Sequence, residues 1–144
     1  MPFIFLIIGA TFFLDQITKN LAEKYLADEP FQIFGNFFQL IVHKNSGIAF
    51  SLHLPLAVII FATYVLLAIG IYIAYKDLDL TQKRAQLFLG LILGGAFGNL
   101  VDRIFQGQVT DFFAVANYPV FNVADIAIVA GLAGIVIWYG KIKK

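Results

Sequence analysis

The residues of this chain best suited to chemistry are Asp111 and Asp125, in the local sequences Gly107-Gln-Val-Thr-Asp111-Phe112 and Phe121-Asn-Val-Ala-Asp125. Two carboxyl groups held side by side cannot both ionise easily, so one keeps a proton while the other carries charge. Such a pair can take a proton from water and polarise a carbonyl in the same step, which is acid–base hydrolysis. A different reading stands beside it, because acidic groups near lipid also form proton relays and ion pairs. Other catalysts are scarce. The chain has no cysteine, no serine lies in a nucleophile motif, and His43 and His53 fit neither a base nor a metal-ligand spacing. Neither a metal nor a cofactor is expected.

The pair can work only if the chain turns back. A single helix from 111 to 125 would hold the carboxyl groups about 21 Å apart, at about 1.5 Å per residue. Asn117-Tyr-Pro119 breaks any such helix, and the segment from Gly107 to Phe113 reads as extended. A reversal over 112–121 would bring Asp111 beside the first turn of a following helix.

The surroundings of the pair are those of a membrane protein. Of 144 residues 60% are hydrophobic and 13% charged, with a mean hydropathy of +0.85. Soluble domains are about 45–50% apolar and about 25% charged. A net charge of +1 leaves no basic face for a nucleic acid. Four stretches can cross a bilayer, at about 3–21, 54–75, 85–101 and 121–139. The first lacks the basic start and the small-residue cleavage site of a removable signal, so it reads as a permanent span. The expected fold is mainly α, a polytopic membrane protein of four transmembrane helices in a single embedded domain covering 1–144.

Lysine and arginine placement orients the spans. Lys76, Lys83 and Arg84 follow the second span, and Lys141, Lys143 and Lys144 follow the fourth. That side reads as cytoplasmic, with both termini on it. On the opposite side Lys24, Lys44 and Arg103 are balanced by Glu23, Asp28, Glu29 and Asp102. The polar residues of the spans then share one depth near the outer face: Asp15 and Lys19 on the first helix, Asn99, Asp102 and Arg103 on the third, Asn122 and Asp125 on the fourth. Asp15 and Lys19 are four apart and can pair. Asn99 and Asn122 are expected to hydrogen-bond the carboxylates, and Asp102 is read as structural, paired with Arg103 or capping the interface.

Two further stretches serve that level. Gly90, Gly94 and Gly98 recur every four residues on the third helix, a small-residue face for close helix packing. The outer segment, about 28–53, is apolar and alternates at Phe38, Leu40 and Val42 around a possible Gly35-Asn36 turn. It reads as a small β-rich sheet lying on the membrane surface. It leads into Asn45-Ser-Gly-Ile-Ala-Phe50, where Gly47 offers a bend.

Five motifs now stand in order: Asp15-Gln-Ile-Thr-Lys19, Asn45-Ser-Gly-Ile-Ala-Phe50, Gly94-Gly-Ala-Phe-Gly-Asn-Leu-Val-Asp-Arg103, Gly107-Gln-Val-Thr-Asp-Phe112 and Phe121-Asn-Val-Ala-Asp125. With four spans and this length, the set resembles the bacterial lipoprotein signal peptidases, the type II signal peptidases, over nearly the whole chain. The resemblance implies a membrane aspartic endopeptidase of lipoprotein maturation. Such enzymes cut a prolipoprotein just before a cysteine already carrying a diacylglyceryl group. It implies Asp111 and Asp125 as the catalytic pair, Asn45, Arg103, Asn99 and Asn122 as substrate contacts, and Asp15, Lys19 and Gly47 in support. The partners it implies are the lipidated precursor and membrane lipid, for a chain working as a monomer in the bacterial cytoplasmic membrane.

The rival class is a proton-coupled transporter or channel subunit. It would favour carboxylates at mid-membrane and a polar stripe along several helices. Here the second span carries no formal charge, and the polar groups gather at one end.

Overall fold

The computed structural model describes residues 2–27, 29–47 and 54–144. Asp28, His53 and the Ile48–Phe50 part of the second motif lie outside the described residues. In chain order the elements are α1 (Pro2–Tyr25), β1 (Phe31–Phe34), β2 (Phe38–Asn45), α2 (Leu56–Asp77), α3 (Lys83–Gln106), β3 (Val109–Val115) and α4 (Val123–Ile142). All four helices are long and apolar enough to cross a membrane. The protein is therefore mainly helical, with a small antiparallel sheet.

The helices run past the apolar stretches that signal them. α3 extends from Lys83 to Gln106, beyond the expected 85–101 at both ends, and α1 continues to Tyr25. Hydropathy marks only the hydrocarbon part of a helix. Hydrogen bonding continues into the headgroup zone until something stops it. At the end of α3 that stop is Gly107, at φ 75, whose N–H closes the last turn on the Arg103 carbonyl at 3.1 Å.

α3 is the central helix, and glycine lets its neighbours approach. A Cβ on Gly94 would meet the Ile8 carbonyl of α1 at 2.8 Å, and one on Gly98 would meet the Asp15 carboxylate at 2.5 Å. On the other side a Cβ on Gly95 would strike the Ala124 carbonyl of α4 at 2.5 Å. The Gly90–Gly94–Gly98 face thus seats α1, while Gly95 seats the start of α4. α2 stands apart, with only Ile59 and Ala74 buried along its length. Its large side chains, such as Phe61, Leu66 and Tyr72, are exposed as a lipid-facing surface would be.

The sheet has the order β1-β2-β3, antiparallel throughout. The expected hairpin forms, with Phe31 opposite Leu40 and Gly35 taking a positive φ of 52 in the turn. Phe31, Phe34 and Phe37 on it stay exposed. The third strand adds to the sequence reading, which has the 107–113 segment extended without assigning it a partner. In the structure Asn45 lies opposite Val109 and His43 opposite Asp111, so β3 completes the sheet. The 112–121 reversal is tight. Phe113 and Phe121 exchange backbone hydrogen bonds of 2.8 and 3.1 Å, and Asn117 adopts a left-handed φ of 62 at the tip.

Gly95→Ala should lower the thermal unfolding temperature in detergent, because backbone would have to move from backbone, at a cost of about 1–3 kcal/mol. Gly9→Ala, whose Cβ meets nothing within 4 Å, should leave it unchanged or slightly higher. Equal effects of the two substitutions would contradict the packing described.

Candidate active site

The first turn of α4 assembles itself. Asn122 is its N-cap, accepting from the Asp125 N–H at 3.0 Å, while the Asp125 carboxylate accepts from the Asn122 N–H at 3.1 Å. This reciprocal capping box fixes the Asp125 side chain against the positive end of the helix. The reversal at Asn117 and Pro119 returns the chain so that Asp111, on β3, lies alongside. Asn122 Nδ2 donates to Asp111 Oδ1 at 2.6 Å, and Asn45 Nδ2 donates to Asp111 Oδ2 at 3.0 Å. Asn45 is itself held by the Gly47 N–H, which donates to its Oδ1 at 3.0 Å.

Asn99 joins the two sides. Its Nδ2 donates to Asp125 Oδ1 at 2.9 Å, and its Oδ1 accepts from Asn122 Nδ2 at 3.1 Å. Only one orientation of the amide allows both. That orientation is locked from below, since Lys19 Nζ also donates to Asn99 Oδ1 at 2.9 Å.

Lys19 is buried, and its three N–H donors are all used. Besides Asn99 it meets Asp15 Oδ2 and Asp102 Oδ2, each at 2.7 Å. The pairing of Asp15 with Lys19 is the one their spacing suggested. Asp102 differs from expectation, because it pairs across helices with Lys19 and not with its neighbour Arg103. Adjacent helical residues point in different directions. Asp102 therefore turns towards α1, where Gln16 also donates to it at 2.9 Å, and Arg103 turns to the cavity. Asp15, wholly buried, accepts the Ala124 N–H of α4 at 2.9 Å through its other oxygen. An ion cluster of this kind is costly to break, at about 3–5 kcal/mol for loss of one partner.

The two aspartates open onto a cavity of about 460 Å³. Asn45, Asn99 and Arg103 line it with them, and the 118–121 segment forms a wall through Tyr118, Pro119, Val120 and Phe121. Among the described residues Arg103 makes no ion pair. The site residues named from the sequence thus lie in the cavity or in the hydrogen-bonded cluster beneath it, except Gly47, which is tied to the site only through its hydrogen bond to Asn45.

His43, which fits neither a base nor a metal-ligand spacing in the sequence, is exposed and lines the rim of the same cavity from its place opposite Asp111. Sequence reasoning passed over a second cluster. Glu23 of α1 accepts from Lys44 and from Thr110 Oγ1, the latter at 2.6 Å, and Lys44 donates to Thr110 at 2.9 Å. These residues flank Asn45 and Asp111, so the cluster ties both strands to α1. Adjacency to a site residue is the only trace of it in the sequence.

Burial is the largest influence on Asp111 and pushes its carboxyl up to about 6. The Asn45 amide opposes this by bonding the charged form, and the nearby Asp125 charge adds to it. The arrangement therefore offers a neutral acid beside a second carboxyl group, with amides at the rim. Among the described residues no group of three or more acidic or histidine side chains is placed to hold a metal ion.

The sequence profile of the family described as Signal peptidase (SPase) II matches residues 7–140. A Brevibacillus brevis protein named lipoprotein signal peptidase is 40% identical over 131 residues, 89% of this chain and 88% of that relative. One of the same name from Chlorobium phaeobacteroides is 37% identical and covers 98% of both chains. A solved structure of a bacterial membrane enzyme, obtained by the in meso method at 2.3 Å, superposes with a TM-score of 0.82 at 27% identity. It covers 98% of this chain and 89% of its own.

Infrared titration with isotopically labelled aspartate, assigned by comparison with Asp111→Asn, should place the Asp111 midpoint near 6. Between the ordinary value of 3.8 and that midpoint the folded protein keeps a proton that a free carboxyl would release. Asp125→Asn removes a like charge and should lower the midpoint. A midpoint at or below 3.8 in the unaltered protein would contradict this geometry.

Proposed function

The chain belongs to the signal peptidase II family, and from that premise we propose that Asp111 and Asp125 are its catalytic pair. It is a multi-pass bacterial membrane protease of lipoprotein maturation. The observation that carries the residue assignment is the Asn99–Asn122 bridge, which binds both carboxylates in one hydrogen-bonded unit at the cavity wall.

In this reading Asp111 holds the shared proton, in keeping with its raised affinity, and Asp125 is the charged member. Asp125 takes a proton from a water lying between the two. The water oxygen attacks the scissile carbonyl, and Asp111 donates its proton to the carbonyl oxygen. The tetrahedral intermediate collapses as Asp125 passes the proton it took to the leaving nitrogen, while a hydroxyl of the intermediate returns a proton to Asp111 as the carbonyl reforms. Asn45 and Arg103 at the rim hold the substrate's backbone and lipid carbonyls, and Arg103 is free for that work because no protein carboxylate claims it among the described residues. Asn99 and Asn122 keep the pair in register. Asp15, Lys19 and Gly47 support from behind.

The substrate is a diacylglyceryl-modified prolipoprotein, cut before the lipidated cysteine. A bond held at headgroup level by two anchors, a signal helix and a diacylglyceryl group, suits a site at the end of the spans. The exposed phenylalanines of the β1–β2 hairpin would steady it at the lipid surface. In this reading both termini lie in the cytoplasm and the site at the outer face, an orientation that the basic ends of α2 and α4 support. One chain carries the whole constellation as a single domain, which supports a working monomer.

The test is cleavage of the lipidated precursor by purified protein, beside the unmodified precursor. Asp111→Asn and Asp125→Asn should each lower kcat by about a thousandfold or more while folding normally. Arg103→Ala should act mainly on KM. Activity surviving in either aspartate variant would move the chemistry elsewhere.

A further inference from the structure

Asp15 and Lys19 begin a stripe on α1 that has a third charged member. Glu23 stands four residues beyond Lys19, as Lys19 stands four beyond Asp15, so the three share one face at steps of about 6 Å. Each reaches a different neighbour. Asp15 accepts the Ala124 N–H of α4, and Lys19 donates to Asp102 and Asn99 of α3. Glu23 reaches the sheet, where its Oε1 accepts from Lys44 of β2 and, at 2.6 Å, from Thr110 Oγ1 of β3. Among the described residues no other α1 side chain is hydrogen-bonded to the sheet.

Thr110 is the receiving end. It is wholly buried, where a valine would fill the same space with no polar atom to satisfy. Its hydroxyl gives its one hydrogen to Glu23 and accepts from Lys44 at 2.9 Å, so the side chain is fixed in a single orientation. Lys44 adds a bond of 3.2 Å to Gln106 in the last turn of α3. Successive strand residues point to opposite faces, so Thr110 is anchored from behind while Asp111 faces the cavity. Both partners of the Glu23–Lys44 pair are about a third exposed, and a pair so placed adds little stability. What it supplies is position.

We infer that Glu23 is a positioning residue for Asp111, acting through Thr110, so that one rigid turn of α1 sets the spacing of the two aspartates. The inference rests on the peptidase reading above, in which the two carboxyl groups act together. Lys19 fixes Asp125 through Asn99, and Glu23 fixes Asp111 through Thr110, one turn apart on the same helix. The Asn45 amide rides on the sheet with Asp111, so it does not set the distance to Asp125. The Asn122 bond reaches Asp111 from the α4 side, which leaves the strand held between two fixed points. Proton transfer between a water and two carboxyl groups tolerates little displacement, and a shift of about 1 Å can cost about a hundredfold in rate.

The test is Thr110→Val, which removes the hydroxyl and keeps both charges of the cluster, beside Glu23→Ala and the conservative Thr110→Ser. With a diacylglyceryl precursor, Thr110→Val and Glu23→Ala should lower kcat about tenfold or more at unchanged KM, and Thr110→Ser should recover most of the loss. A second readout needs no substrate. Asp125→Asn lowers the infrared midpoint of Asp111 by removing a like charge, and in a Thr110→Val background that difference should shrink by half or more. Loss of stability alone leaves the difference as it is. An unaltered infrared difference in Thr110→Val, with or without a fall in kcat, would overturn the positioning role and leave the peptidase reading standing. If the unsubstituted protein leaves the precursor uncut, the peptidase reading falls, and the infrared difference decides on its own whether Glu23 sets the spacing.

Discussion

The site hangs on one buried ammonium group. Lys19 gives its three N–H bonds to Asp15, Asp102 and Asn99, and so joins α1 to α3. Asp15 carries the connection to α4 by accepting the Ala124 N–H. Each member is buried, and none could be left unpaired without a large penalty. Close approach of the helices makes the cluster possible. A side chain at Gly98 would occupy the space of the Asp15 carboxylate, so the small-residue face of α3 is a condition of the electrostatics as much as of packing.

From this cluster the geometry passes upward by defined hydrogen bonds. Lys19 orients the Asn99 amide, Asn99 meets Asp125 and Asn122, and Asn122 meets Asp111. The two aspartates differ in how they are carried. Asp125 belongs to a capped helix turn inside the bundle. Asp111 rides on the last strand of a sheet that is held to α1 by Glu23, Lys44 and Thr110. A site built this way places one carboxyl group through the helix bundle and the other through the sheet. The 118–121 wall follows the sheet, because the Phe113–Phe121 pairing links them.

Much of this arrangement was legible in the chain itself. The spans stand out by contrast with their flanks, and counting along them puts Asp15, Asn99, Asp102 and Asp125 at one level. The reversal over 112–121 follows from Pro119 and from the distance a straight helix would impose. What one dimension does not carry is rotation and register between elements. Nothing in the spacing tells that Asp102 faces α1 while Arg103 faces the cavity. Nor does it tell that the segment after α3 pairs with a hairpin 66 positions earlier, as Asn45 and Asp111 do. The polar support from Gln16, Glu23 and Thr110 was invisible for the same reason, and His43 lay beside the cavity only once the register was known. The catalytic roles proposed for the two aspartates rest on the resemblance of five motifs and not on the spacing of two acids.

The most direct test of the account is the structure of the protein with a diacylglyceryl lipopeptide whose scissile amide is replaced by a hydroxyethylene group. That group imitates the tetrahedral intermediate. Its hydroxyl should lie between the aspartates, within hydrogen-bonding distance of both carboxyl groups, about 2.5–3.0 Å. A hydroxyl bound elsewhere in the cavity, touching neither Asp111 nor Asp125, would contradict it.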